Sequence, residues 1–180
     1  MVALSGVGAD GDKQGWLGFL ANAEHIFETY GDIPFVHWAP YERTYLRRYV
    51  ERFGDAEGIS ARVDANLLDL LTVMRDSVVL PLPSFSLKVV EDCVGFERKE
   101  AEFGGQWAMA TFIEATENSD EGKRKELMDK IVAYNREDLE ATWAVFEWLR
   151  AKTPAGSRFG VPFLLIGQMT QGKFLVRSRW

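Results

Sequence analysis

The sequence predicts an α/β domain, on three observations. Strand-length apolar runs stand near the front of the chain, VALSGVG (2–8) and IPFVHWA (33–39), the second short enough to be a buried strand. Between and after them come helical patterns, the longest running from Lys123 to Lys152 and stopping at Thr153-Pro154. A chain of 180 residues, 47% hydrophobic with 12 Phe, 6 Trp and 5 Tyr, has enough material for one substantial core and little room for two.

The elements follow in order. Val2 to Gly8 reads as a strand, ADGD (9–12) as a turn, and Trp16 to Ala21 as the returning strand of a hairpin. A short helix covers Ala23 to Tyr30, and the strand at 33–39 follows. Pro40 suits the first turn of a helix that runs through YERTYLRRYVERF to a stop at Gly54. DAEGISAR (55–62) reads as a loop and NLLDLLTVMR (66–75) as a helix. PLPS (81–84) interrupts the chain before a helix over 85–94 that Gly95 caps. Residues 96–107 are irregular around Gly104-Gly105, and a helix over 108–116 precedes the long one. The tail from Ser157 to Trp180 carries Arg158, Lys173, Arg177 and Arg179 and no acid; its alternating runs around TQG predict a hairpin. Residues 1–152 are therefore expected to form the main domain and 153–180 a basic extension.

A formal charge of −6 argues against a protein that coats nucleic acid through a basic surface, though not against an enzyme that handles it with bound cations. Cys93 is the single cysteine, so no internal disulfide is possible and a reducing compartment is expected. The opening residues lack the basic flank of a signal peptide and the length of a membrane span, which predicts a soluble cytoplasmic protein.

Two carboxylates stand where apolar residues belong. Leu127, Ile131, Tyr134, Ala141, Val145 and Leu149 mark one face of the long helix, and Asp138 falls on it, four residues after Tyr134 and three before Ala141. A buried carboxylate must be protonated, paired or bound to a metal. In the helix after Pro40, Glu42 shares the inward stripe of Leu46, Tyr49 and Phe53. The plain reading of Glu42 is a first-turn acid complementing the helix dipole, and that of Asp138 is a buried ion pair with an arginine. Together the two acids suggest a shared site for Mg²⁺ or Mn²⁺, ions that take oxygen ligands and serve phosphoryl transfer.

HWAPYE (37–42) and YNREDLEAT (134–142) resemble the second and third motifs of the DEDD exonucleases. Closer still is the YprB-like ribonuclease-H-like domain often found with RecB-type nuclease or helicase modules. NLLDLLTVMRDSVVLPLPSFSLKVVEDCVGF (66–96) resembles its intervening segment, and the likeness covers roughly residues 1–150. The resemblance implies a mixed central sheet flanked by helices and a metal-dependent 3′-to-5′ exonuclease on DNA or RNA. It makes Glu42 and Asp138 metal ligands in a two-ion site, Tyr134 the residue that orients the attacking water, and Asp69 structural. The family's first motif, Asp-x-Glu, is not found before Val2, so the chain is expected to lack the first strand; Asp10, Asp12 and Glu24 are the early acids. A catalytically silent domain that binds nucleic acid or docks a RecB-like module is the rival reading.

Other candidates carry less. GVGADG (6–11) fits the dinucleotide pattern, yet DKQGWLG lacks the helical period that should follow. Two histidines and one cysteine build no usual structural zinc site. His37 ends the strand before Glu42 and could meet nucleic acid, a satisfied core or rim histidine being the stronger reading. Arg43, Arg47, Arg48 and Arg52 make a solvated face on which Arg43, beside Glu42, could reach phosphate, as could Lys88.

Overall fold

The structure, a computed structural model, describes residues 2–5, 10–55, 57–99, 104–152, 163–166 and 173–179. The elements are β1 (Val2–Ser5), α1 (Gly11–Tyr30), β2 (Phe35–His37), α2 (Tyr41–Phe53), α3 (Ile59–Ala65) and β3 (Leu67–Asp69). They continue through α4 (Leu70–Ser77), α5 (Leu87–Cys93), α6 (Gly105–Glu117), α7 (Glu121–Lys152), β4 (Phe163–Ile166) and β5 (Lys173–Arg179). The strands form one mixed sheet in the order β1-β5-β4-β2-β3. β2 runs parallel to both β3 and β4, whereas β5 is antiparallel to β4 and β1.

Consecutive residues of a strand point to opposite faces, and β2 uses both. Phe35 belongs to a core with Trp16, Phe19, Ala23, Phe27, Leu46, Tyr49 and Val63, from α1, α2 and α3. Val36 belongs to a second core with Leu70, Met74, Val90, Leu139, Val145, Phe146 and Leu149, from α4, α5 and α7. The sheet is thus covered on both faces around β2, the strand that leads to Glu42.

Three expectations need correction. The hairpin strand expected at 16–21 is the middle of the 20-residue helix α1. Trp16, Phe19, Ala23, Ile26 and Phe27 recur at helical spacing and are buried, and that packing outweighs Gly15 and Gly18, each worth about 1 kcal/mol against a helix. Trp16 donates from Nε1 to the Gly54 carbonyl at 2.9 Å and lies 5.6 Å, ring to ring, from Tyr49. A helix therefore does follow the glycine-rich stretch 6–11, whose residues 6–9 lie outside the described ones.

The helix expected over 66–75 is divided. Leu67–Asp69 pair with β2, and α4 starts only at Leu70. Asp69 sets the break by capping α4: its Oδ1 accepts from the Leu71 amide at 3.0 Å, and Oδ2 accepts from Thr72 Oγ1 at 3.0 Å. The loop expected at 55–62 contains the start of α3, held by Asp55, which accepts from the Ser60 and Ala61 amides and the Ser60 hydroxyl. α2 and α7 match their expected spans closely, and α6 extends its expected helix by a few residues at its start. In the tail, β4 and β5 pair as the expected hairpin would, while the TQG turn lies outside the described residues. No described helix is long and apolar enough to cross a membrane.

Candidate functional site

The turn from β2 into α2 aims Glu42 inward. Ala39 adopts φ 67°, a left-handed conformation that is uncommon for alanine. Two hydrogen bonds hold it: its amide donates to Asp69 Oδ1 at 3.1 Å, and its carbonyl accepts from His37 Nδ1 at 2.7 Å. Because a carbonyl can only accept, that bond places the proton of His37 on Nδ1. Asp69 is thus structural in two ways, capping α4 and bracing the turn ahead of Glu42.

Glu42 is only 3% exposed. Its Oε2 lies 3.3 Å from His37 Nδ1, but that N–H is committed to Ala39, and the oxygen is buried without a hydrogen-bond partner. The contact with His37 is therefore a secondary electrostatic one. Burial pushes the Glu42 carboxyl above the ordinary carboxylate range, with His37 offsetting part of the rise.

The second acid comes from α7. Asp138, Tyr134 and Glu42 line one cavity of about 320 Å³ with Lys88, Arg98 and the Gly104–Gly105 start of α6. Arg98 donates from Nη2 to Asp138 Oδ1 at 2.7 Å and to Glu91 Oε2 at 2.7 Å, and its Nε also bonds Glu91. Burial pushes the Asp138 carboxyl up, while Arg98 and a hydrogen bond from Tyr134 restrain the rise. Burial and the neighbouring Asp138 push the Tyr134 phenol up, so it acts as a donor to that carboxylate rather than as an anion. The Tyr134 ring packs edge-on against Trp107 at 6.0 Å and beneath the Arg98 guanidinium at 5.7 Å.

Arg98 and Glu91 are not among the expected site residues. Glu91 carried the same signal as Asp138, since it follows Leu87 by four on the apolar side of α5 that Val90 and Val94 share. Arg98 sits in an irregular segment where no period exists. Its placement depends on Gly95, whose φ of 80° reverses the chain after α5 so that the Phe96 amide donates to the Glu91 carbonyl at 2.9 Å. The Lys99 amide then donates to Glu137 Oε1 at 2.9 Å, tying the segment to α7. A Cβ at Gly95 meets nothing within 4 Å, so the cost of substitution is conformational alone. Gly95→Ala is expected to lower stability by about 1 kcal/mol, read as a shift in the urea midpoint without a change in slope.

Of the other expected site residues, Lys88 lines the cavity. Arg43 does not; its Nε pairs with Asp64 Oδ1 at 3.1 Å. His37 is 2% exposed and acts on the Ala39 turn and Glu42, away from solvent. Asp12, one of the early acids, pairs with Arg52.

Among the described residues no group of three or more His, Cys, Asp or Glu side chains is placed to hold a metal ion. Among the described residues, Glu42 and Asp138 are the two acids lining the cavity. Their donor chemistry suits an oxygen-liganded cation: Glu42 has a buried, unpartnered oxygen, while Asp138 is held by Arg98 and would have to release it to serve as a ligand.

A mixed sheet covered by helices on both faces, with a buried carboxylate cavity beyond the carboxyl end of an interior parallel strand, defines an α/β domain with a site at a strand end. The sequence model of RNase_H_2, described as RNase_H superfamily, matches residues 13–150, which is most of the chain. The protein belongs to that ribonuclease-H-like family. No curated protein and no solved structure matches it.

Proposed function

We propose that this chain is a metal-dependent nuclease domain that hydrolyses phosphodiester bonds in DNA or RNA, with the 3′-to-5′ exonuclease polarity of the DEDD enzymes. The observation that carries this reading is the convergence of Glu42, Tyr134 and Asp138, from two helices, on one cavity in a ribonuclease-H-like domain. A Mg²⁺ or Mn²⁺ ion held there would stabilise charge on the phosphate oxygens and lower the pKa of a bound water. Glu42 and Asp138 would serve as its ligands and would both have to be ionised to do so. Tyr134, one helical turn before Asp138 and hydrogen-bonded to it, steers the attacking water. Lys88 at the cavity meets the phosphate backbone, and Arg43 and His37 are left as minor contributors, one tied to Asp64 and the other buried. Two ions require acids beyond these two. The work is cytoplasmic, in keeping with a single free cysteine.

A second reading has its own observations. Asp138 is already paired with Arg98, and the strand beside β2 on the side away from β3 is β4, FLLI, which carries no acid. These favour a catalytically silent domain that binds nucleic acid or docks a RecB-like nuclease or helicase module. End-labelled single-stranded DNA and RNA incubated with Mn²⁺ separate the two. Laddering that disappears with EDTA and in Asp138→Asn supports the nuclease. Retention of the same strands on the protein without cleavage supports the silent domain.

A further inference from the structure

We propose that Arg98 is a positioning residue that sets the divalent-cation affinity of the Glu42–Asp138 cavity by occupying Asp138 in competition with the ion. This rests on the cation reading of that cavity and adds its regulation.

The triad is buried at every member: the Arg98, Glu91 and Asp138 side chains are 4%, 3% and 11% exposed. Its bonds are unequal. Glu91 takes two donors of the guanidinium, Nε and Nη2, in a bidentate pair. Asp138 takes only Nη2, which it shares with Glu91. Nη1 is buried and makes no hydrogen bond among the described residues. One guanidinium thus has a permanent partner and an exchangeable one. When Asp138 turns to a cation, Arg98 remains neutralised by Glu91 and loses a single shared contact. Without a cation, Arg98 spares Asp138 the cost of standing charged and unpaired in a buried site. The two positive charges repel each other across one carboxylate, so each lowers the occupancy of the other.

Gly95 and the bond between the Lys99 amide and Glu137 fix where this competitor is presented. The cavity is therefore a weak cation site by construction, filled only at cation concentrations high enough to displace the arginine.

The test is Mn²⁺ affinity, by titration calorimetry, of the wild type, the double variant Glu91→Met/Arg98→Met, Arg98→Lys and Asp138→Asn. The double variant removes the competitor without stranding Glu91. Arg98→Lys is the milder arm, because an ammonium cannot bridge both carboxylates in the same fork. The expected result is tighter Mn²⁺ binding, by about tenfold in the double variant and several-fold in Arg98→Lys. Loss of binding in Asp138→Asn is expected alongside. Weaker binding in the double variant and in Arg98→Lys, with binding still dependent on Asp138, overturns the competition and makes Arg98 an orienter of its ligand; unchanged binding overturns it as well and leaves Arg98 a structural residue. Absence of Mn²⁺ binding in all four proteins overturns the cation reading itself, and the competition with it. A merely structural arginine shifts melting temperature and leaves Mn²⁺ affinity where it was.

Discussion

Arg98→Ala is expected to lower the unfolding free energy by about 3–5 kcal/mol, because it leaves two buried carboxylates without their cation. Glu91 is 2% exposed and Asp138 8%, so solvent replaces only part of what each loses with the guanidinium. The variant should also lose the contact of Arg98 with the Tyr134 ring, which loosens the side chain facing the cavity. Urea unfolding at neutral pH reads the loss. Adding Glu91→Gln to the variant should return part of it, since one of the stranded charges is then gone. The difference from wild type narrows in acid, as stranded carboxylates take up protons and stop needing a partner. A loss well under 1 kcal/mol would show that the triad is hydrated in solution.

Glu42→Gln is expected to do the opposite and raise stability by about 1–2 kcal/mol at neutral pH. The Glu42 Oε2 is buried without a hydrogen-bond donor, and burial holds the carboxyl above its ordinary value of 4.5. A group whose pKa is raised by folding favours the folded state while it is protonated. That contribution is complete below the unfolded value and is lost as pH rises through the folded one. The wild type should therefore lose stability as pH rises above the ordinary carboxylate range by an amount Glu42→Gln does not. Urea midpoints at about pH 4 should coincide for the two proteins and separate at about pH 8. A stabilising substitution at a candidate catalytic position is what a site maintained for chemistry at a cost in stability predicts.

The helices were legible wherever their period was local. α2 and α7 each declare an apolar stripe, a start and a stop, and the misfit acids on those stripes identified both carboxylates of the cavity. α1 is obscured in the sequence because Gly15 and Gly18 interrupt a helical spacing, Trp16, Phe19, Ala23, that the structure buries. β3 was hidden because three residues paired to β2 carry the same leucines as the helix that follows. Strand identity there is decided by a partner some 30 residues away in sequence, Phe35 to His37, which no local pattern reports. The same limit applies to Arg98. An ion pair was one of the two readings of Asp138, but its partner lies 40 residues earlier in a stretch without period, positioned by a glycine turn. The neighbours of β4 likewise depend on the two ends of the chain meeting in one sheet.

The most direct test of the central claim measures turnover and nucleic-acid binding together, for the wild type and for Glu42→Gln, with Mn²⁺ present. Glu42→Gln keeps the fold and the shape of the cavity and removes one ligand charge. The account predicts that binding of single-stranded DNA or RNA stays within about threefold of wild type while cleavage falls by about a hundredfold or more. Mn²⁺-dependent cleavage that continues at the wild-type rate in Glu42→Gln would contradict it, and would move the chemistry away from this cavity.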